Sequence, residues 1–321
     1  MEKLLPLIHP PIETYQGSSF ILGIILAYEN IANAYYNNYI NLECNNTNDI
    51  HNISLEFANI SWDNYRMSGI AEMNLYHIAN IPQNKFVDFI KERIDQGNYI
   101  IIYCIDEYYL SYTSCYKKHH NSHDTYIYGY NESHFFIMAY KNGKLQKIHV
   151  PFKEIEEGLF SLLSNHCDLS FCTFRPNHAI NVQANLCQIK QEFCNYLHSI
   201  DSNTLPNNKI YGINTYDVLS NCIKSFFNAN PKTGIDLRPF RLLWEHKKLM
   251  RNHLIKYSEI AFIEDNNSIL LFDETEQTAN MIFKLMIKYN ITYNANLSKQ
   301  TLELIDVLKE KEVNYLEPLF K

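Results

Sequence analysis

Two short stretches of the sequence contain residue types that could perform nucleophilic catalysis. The first is Gln16-Gly17-Ser18-Ser19, which stands directly before the apolar run 20–28. The second is His123-Asp124, which directly precedes a strand-like stretch much later in the chain. A serine hydroxyl becomes a nucleophile when a base takes its proton, and a histidine oriented by a carboxylate is a frequent base.

Ser18 and Ser19 stand at the start of a predicted helix that is apolar on nearly all sides of its first half, which is typical of a buried helix. A hydroxyl at a helix N-terminus lies at the positive end of the helix dipole, beside free backbone N–H groups. Gln16 could donate a hydrogen bond to an oxyanion there. The simpler alternative is that a serine, Ser19 above all, only caps the helix and that Gly17 permits the turn.

His123 enters the predicted strand region, where a base could face the start of that helix. A third group would have to orient its ring. Asp124 is the nearest candidate, and Asn142, in a predicted hairpin turn further on, is a polar substitute. The alternative is that His123 is a partly exposed residue at a junction between a loop and a strand.

Metal binding is a second type of chemistry that residues at the same place could perform. His119, His120, His123 and Asp124 have spacings that occur in zinc sites. They lie in a predicted loop, however, and the sequence offers no second pair of ligands, so we expect no metal ion. Glycines are scattered singly, which argues against a phosphate-binding loop, and we expect no cofactor.

The composition of the chain argues against several classes of protein. The chain has 321 residues, of which 46% are hydrophobic, and a net charge of −7, which excludes a disordered chain and argues against a nucleic-acid partner. Its eight cysteines include no Cys-x-x-Cys pair, which favours reduced thiols of a cytoplasmic protein. The longest apolar run is too short to cross a membrane, and we see no signal peptide.

The pattern of elements predicts an α+β fold. Helices are predicted at 19–38 and 82–96, followed by strands at 99–105, 125–130, 135–140 and 145–150. Asn142-Gly143 between the last two strands is a strong hairpin signal. The second part reads as helices at 182–198, 216–227, 239–258, 274–290 and 298–311, so we expect two domains, 1–178 and 179–321.

Several motifs together resemble a known family. They are the stretch that begins at His123-Asp124 and runs to Gly129-Tyr130, the stretches 150–155 and 211–217, and the helix start at 235–240 with its continuation to Met250. This set is similar to papain-like proteins related to the butirosin-biosynthesis acyltransferase and, more distantly, to bacteriocin-processing cysteine peptidases. Such proteins are associated with natural-product and nonribosomal-peptide biosynthesis.

The resemblance implies a papain-like fold, with a buried N-terminal helix packed on an antiparallel sheet, followed by a helical part. It also implies an acyltransferase or thioesterase-like activity on an acyl or peptidyl group held as a carrier-protein thioester, with His123 as base. The family's cysteine is replaced here by Ser18 or Ser19, and its acid on the following strand is missing. The alternative is therefore a catalytically degenerate accessory protein that binds a carrier protein, a peptide or a synthetase. A helical protein in which His123 is only structural is a third hypothesis.

Overall fold

The computed structural model describes residues 2–58, 60, 62–163, 169–201, 208–229, 233–259 and 267–320. The chain forms two compact units, one of Met1–Ala34 with Trp62–Gln183 and one of Tyr35–Ser61 with Ala184–Lys321. The predicted division into domains 1–178 and 179–321 stays a prediction, and residues 35–61 group with the later part of the chain.

The helices and strands are numbered along the chain. The strands are β1 (Lys3–Leu4), β2 (Leu42–Asn45), β3 (Leu55–Phe57), β4 (Ala71–His77), β5 (Tyr99–Asp106), β6 (Ser122–Tyr130), β7 (His134–Lys141), β8 (Lys144–Pro151), β9 (Ser170–Pro176) and β10 (Lys209–Tyr211). The helices are α1 (Gln16–Ile25), α2 (Glu29–Asn37), α3 (Trp62–Met67), α4 (Phe86–Asp95), α5 (Phe152–Phe160), α6 (Leu186–His198), α7 (Thr215–Asn228), α8 (Arg238–Glu259), α9 (Asn267–Thr292) and α10 (Leu297–Phe320).

A seven-stranded antiparallel sheet is the centre of the first unit. Its order is β4-β9-β5-β6-β7-β8, and the short β1 pairs with β6. The predicted meander is confirmed as β5 to β8, and Asn142 and Gly143 form its last turn with φ of 53° and 73°. The edge strand β4 was not predicted, because its mostly exposed, polar-rich sequence lacks a clear alternation.

Helix α1 packs on this sheet through its apolar residues, as the resemblance predicts. The ring of Phe20 lies 5.0 Å from that of Tyr126 on β6 and 5.9 Å from that of Tyr99 on β5. At the start of the helix, Gln16 Nε2 donates a hydrogen bond of 3.3 Å to the carbonyl oxygen of Met138 on β7. The α+β class and the buried N-terminal helix on an antiparallel sheet are therefore confirmed.

Two details of the predicted helix 19–38 are wrong. The helix begins at Gln16 with Tyr15 as its N-cap residue, so Ser19 lies inside the helix and caps nothing. It also ends at Ile25, and α2 starts at Glu29. Tertiary hydrogen bonds accompany the break: the hydroxyls of Tyr28 and Tyr99 lie 3.0 Å apart, and the amide of Asn30 donates to the carbonyls of Asn177 and Ile180. The helical periodicity of the sequence gives no information about such long-range hydrogen bonds, so it does not predict the break.

The second unit contains α6 to α10 and a small antiparallel sheet of order β10-β2-β3. The five predicted helices are present. The first starts later than predicted, at Leu186, because Asn185 caps it by accepting a hydrogen bond of 3.1 Å from the backbone N–H of Gln188.

An ion pair lies in the interior of the second unit. Lys247 on α8 and Glu312 on α10 are both fully buried, with Nζ 2.5 Å from Oε1. The hydroxyls of Tyr196 and Tyr216 donate to the other oxygen of Glu312. The same ammonium donates to Tyr196 at 2.9 Å and to His246 Nδ1 at 2.8 Å. These contacts join α6, α7, α8 and α10 within one polar network.

Candidate functional site

An imidazole–carboxylate pair stands at the start of β6. His123 Nδ1 lies 2.7 Å from Asp124 Oδ1 and 3.2 Å from the backbone oxygen of Asp124. The side chain of His123 is 47% exposed, so its ring is accessible to a ligand in solution. With Nδ1 held by the carboxylate, Nε2 is the nitrogen left to exchange a proton with a substrate.

Tyr126 fixes the carboxylate of this pair. Its hydroxyl donates a hydrogen bond to Asp124 Oδ2, while Asp124 Oδ1 meets the imidazole. The hydrogen bond to Asp124 raises the pKa of His123 to about 9, against the lowering effect of burial. The ring is therefore protonated at neutral pH, and it acts as a base only after it loses that proton.

Helix α1 covers the face of the sheet that carries this carboxylate. Side chains alternate along a strand, so Asp124 and Tyr126 point to the same face. Phe20 of α1 packs on the ring of Tyr126, and the hydroxyl of that ring reaches Asp124. We call this side of the sheet the α1 face. One tyrosine side chain thus separates the helix from the imidazole–carboxylate pair.

The two predicted serines occupy α1 with different surroundings. Ser19 is fully buried, and its hydroxyl donates a hydrogen bond of 2.7 Å to the carbonyl oxygen of Tyr15. Ser18 is partly exposed. Of the two hydroxyls, that of Ser18 is the more accessible to a substrate.

The other two predicted residues, Gln16 and Asn142, lie on different elements. Gln16 is buried, and its amide is engaged with the carbonyl of Met138. Asn142 is exposed in the β7–β8 turn, after Lys141 pairs with Lys144. Because β6 and β7 are antiparallel, this turn lies at the end of the sheet where β6 begins, the end that carries His123. The structure therefore places the predicted residues on α1, at the start of β6 and in one nearby turn.

A second imidazole–carboxylate pair was not predicted. His120 Nδ1 lies 2.6 Å from Asp106 Oδ2, and the imidazole stacks on Tyr108 with ring centroids 4.5 Å apart. Asp106 is buried and also accepts from the backbone N–H groups of Tyr108 and Asn121. The acid at the end of β5 and the histidine before β6 were visible in the sequence, but His120 was considered only as a metal ligand.

Among the described residues, no three His, Cys, Asp or Glu side chains come together in a way that could hold a metal ion. No helix within the described ranges has the length and apolar character needed to cross a bilayer. None of the seven described cysteines forms a disulfide bond, and Cys167 lies outside the described residues.

Comparison with known proteins gives one match. Residues 70–139 match the family model described as "Butirosin biosynthesis protein H, N-terminal". No curated protein matches the chain. The matched stretch runs from the start of β4 almost to the end of β7, and it contains His123 and Asp124 but not Ser18 or Ser19. Over these residues the chain is similar to the N-terminal part of butirosin biosynthesis protein H, the family that the His123–Tyr130 motif resembles.

Proposed function

We propose that this protein transfers an acyl or peptidyl group from a carrier-protein thioester to an acceptor in natural-product biosynthesis. The observation that carries the proposal is the His123–Asp124 pair, which is fixed by Tyr126 beside α1. The family match over residues 70–139 supports this class of reaction. We further propose that the protein acts in the cytoplasm and meets its carrier protein or synthetase there.

In this mechanism His123 moves a proton twice. As base, neutral His123 takes the proton of the attacking nucleophile through Nε2, while Asp124 stabilises the imidazolium that forms. As acid, the imidazolium gives a proton to the carrier thiolate that departs when the thioester C–S bond breaks, so that it leaves as a thiol. Because the pKa of His123 is raised to about 9, the imidazolium dominates at neutral pH, and the fraction of neutral imidazole increases as the pH rises.

Ser18 and Ser19 are the nucleophiles that the sequence predicts. Ser18 is the better candidate because Ser19 is fully buried and its hydroxyl already donates to the Tyr15 carbonyl. Gln16 Nε2 already donates one of its two N–H groups to the Met138 carbonyl, so only the other could support an oxyanion, and Asn142 would do so from the exposed turn. We therefore assign these two residues secondary roles.

A second candidate function is a non-catalytic accessory protein that binds a carrier protein, a peptide or a synthetase through the same fold. Two observations favour it: the hydroxyl of the buried Ser19 already donates to the Tyr15 carbonyl, and His123 is protonated at neutral pH because its pKa is raised to about 9. Such a site has no ready base for a hydroxyl nucleophile.

Acyl transfer from an acyl-pantetheine thioester to an amine, followed by chromatography of the amide product, distinguishes the two functions. If the protein is an enzyme, His123→Ala lowers the rate about 10²–10⁴-fold, the usual contribution of a positioned acid or base. His9→Ala is the matched control, because His9 also pairs with a carboxylate at 2.7 Å, that of Glu13, on an exposed surface. Equal rates for wild type and His123→Ala would reject the catalytic proposal in favour of the accessory one.

A further inference from the structure

The turn between β7 and β8 carries two lysines at the end of the sheet where β6 begins. Lys141 and Lys144 are direct partners across this turn, and both side chains are exposed. Tyr126 on β6 pairs with Met138 on β7, and the two strands are antiparallel. His123 and Lys141 each lie three residues from that pair, in the same direction along the sheet. Both residues are therefore at one end of the sheet, on neighbouring strands.

Two further exposed lysines, Lys117 and Lys118, lie in the segment that leads into β6. The backbone N–H of Lys117 donates a hydrogen bond of 2.9 Å to the Tyr108 carbonyl, and that of Lys118 donates one of 2.9 Å to the Cys115 carbonyl. Lys117 has a φ of 51°, in the left-handed region that residues with a side chain rarely adopt and that persists where surrounding contacts fix it. The backbone that carries these two lysines is therefore held in a defined conformation.

The carboxylates at the end of β5 and the start of β6 do not neutralise these lysines. Asp106 binds His120 at 2.6 Å, and Asp124 binds His123 at 2.7 Å. Glu107 accepts a hydrogen bond of 2.6 Å from an asparagine amide of the same segment. In the described part of the chain, none of the four lysines forms an ion pair with a carboxylate. Their ammonium groups are therefore available to an anion in solution.

The two ends of the sheet differ in charge. We give the name lysine surface to Lys117, Lys118, Lys141 and Lys144. At the opposite end, in the turn between β6 and β7, Glu2 and Glu132 line one cavity with two polar residues. The chain as a whole has a net charge of −7, so the lysine surface stands out from the rest of the molecule. The positive end of the sheet is the one that carries His123.

We propose that the lysine surface docks an acidic carrier protein through that protein's carboxylates and the phosphate of its phosphopantetheine arm, an inference that rests on the proposed acyl-transfer function. The arm is joined to the carrier through a phosphodiester, and its thioester has to reach His123. Complementary charges beside that histidine steer the carrier to the correct end of the sheet.

A small acidic protein fits this surface better than a nucleic acid does. The net charge of −7 repels a long polyanion, whose charge extends well beyond four lysines. A carrier protein needs only a local region of positive charge, and the two segments of the lysine surface supply one. Lysine is a point charge on a flexible stem, which suits both a phosphate and the carboxylates of a partner.

Titration of a fluorescently labelled acidic acyl carrier protein that bears phosphopantetheine measures the docking. Lys118→Glu with Lys144→Glu reverses one charge in each segment, and we expect this variant to bind at least about 10-fold more weakly than the wild type at low salt. Lys284→Glu with Lys288→Glu is the matched control, because these two exposed lysines of α9 give the same change in net charge; it should bind within about 2-fold of the wild type. Raising the salt to about 1 M, where charges are screened within about 3 Å, should remove most of the difference.

Equal affinity of the wild type and the Lys118→Glu, Lys144→Glu variant, or no binding by the wild type, would overturn the docking proposal. Equally tight binding of a DNA duplex or of phosphatidylserine vesicles would overturn it too, because the lysines would then bind anions of any kind. Circular dichroism checks that the variants are folded, and Lys118→Gln with Lys144→Gln, which removes the charges without reversing them, should weaken binding by a smaller factor of about 3.

Transfer from acyl-pantetheine, which has no carrier protein, tests the proposed function separately. If the wild type transfers the acyl group from acyl-pantetheine but does not bind the carrier, the docking proposal is wrong and the proposed function stands. If the wild type binds the carrier through the lysine surface but transfers from neither donor, the docking proposal stands and the catalytic function is wrong.

Discussion

Replacing Lys247 with methionine should destabilise the second unit strongly. The substitution removes an ammonium that lies 2.5 Å from Glu312 Oε1 in a site where both side chains have no solvent exposure. The Glu312 carboxylate would remain buried with only the hydroxyls of Tyr196 and Tyr216 as partners. Removing one member of a buried pair typically costs about 3–5 kcal/mol because the other charge is left uncompensated.

A double variant isolates the uncompensated charge as the cause. Lys247→Met with Glu312→Met removes both charges and keeps the side-chain volumes similar. Replacing a whole buried pair by apolar residues is often nearly neutral, so we expect the double variant to recover at least about 2 kcal/mol relative to Lys247→Met. Surface pair Lys299–Glu303 supplies the exposed control, for which Lys299→Met should change stability by less than about 0.5 kcal/mol.

Urea unfolding followed by far-ultraviolet circular dichroism measures these differences. A loss below about 1 kcal/mol for Lys247→Met would refute the argument, because it would mean that the carboxylate finds water or another cation in the folded protein. A double variant less stable than the single one would contradict it as well.

Three further predictions concern protonation and backbone strain. The Nε2–H of His246 donates to the Ile40 carbonyl at 2.7 Å and its Nδ1 accepts from the buried ammonium, so burial and that charge hold its pKa well below the usual value. The unfolded chain then binds a proton that the folded one does not, and stability should fall as the pH drops below about 6.5; urea midpoints that are equal at about pH 5 and pH 7 would contradict this. Asp124→Asn should bring the NMR-measured pKa of His123 down from about 9 towards its ordinary value, and an unchanged titration would show that the carboxylate is not its cause. Gly212→Ala would place a Cβ 2.0 Å from the Tyr196 carbonyl at a φ of +56° and should cost about 2 kcal/mol or more, whereas Gly143→Ala, with positive φ but open space, should cost about 1 kcal/mol; equal losses in thermal denaturation would remove the steric explanation.

Strands and helices with strong periodicity were predictable from the sequence. The Asn142-Gly143 turn fixed the hairpin between β7 and β8, because a two-residue loop with positive φ suits these residues. The helix start at Arg238 follows from Asp236, whose carboxylate accepts from the backbone N–H of Arg238. Turns and helix caps of this kind depend on residues that are neighbours in the sequence, so they can be predicted without knowledge of the tertiary structure.

The parts that the sequence did not predict depend on distant partners. The break after Ile25 accompanies hydrogen bonds to residues far along the chain, such as that between Tyr28 and Tyr99. Strand register determines two further features: the hydrogen bond from the Tyr126 hydroxyl to Asp124, and the register shift between β5 and β6 around Cys104. The pattern of a single strand does not specify its register. The buried ion pair of Lys247 was not predicted either, because its partner Glu312 lies on a different helix and a single helical pattern does not specify that contact.

The most direct test of acyl transfer is the mass of the intact protein after brief exposure to an acyl-pantetheine thioester without an acceptor amine. We expect a covalent acyl adduct on the wild-type chain, and we expect this adduct to form at least about 100-fold more slowly in His123→Ala. The His9→Ala control, which removes an imidazole paired with Glu13 on the exposed surface, should acylate at the wild-type rate. If the wild type gains no acyl mass, or if His123→Ala gains it at the same rate, the proposed acyl transfer assisted by His123 is contradicted.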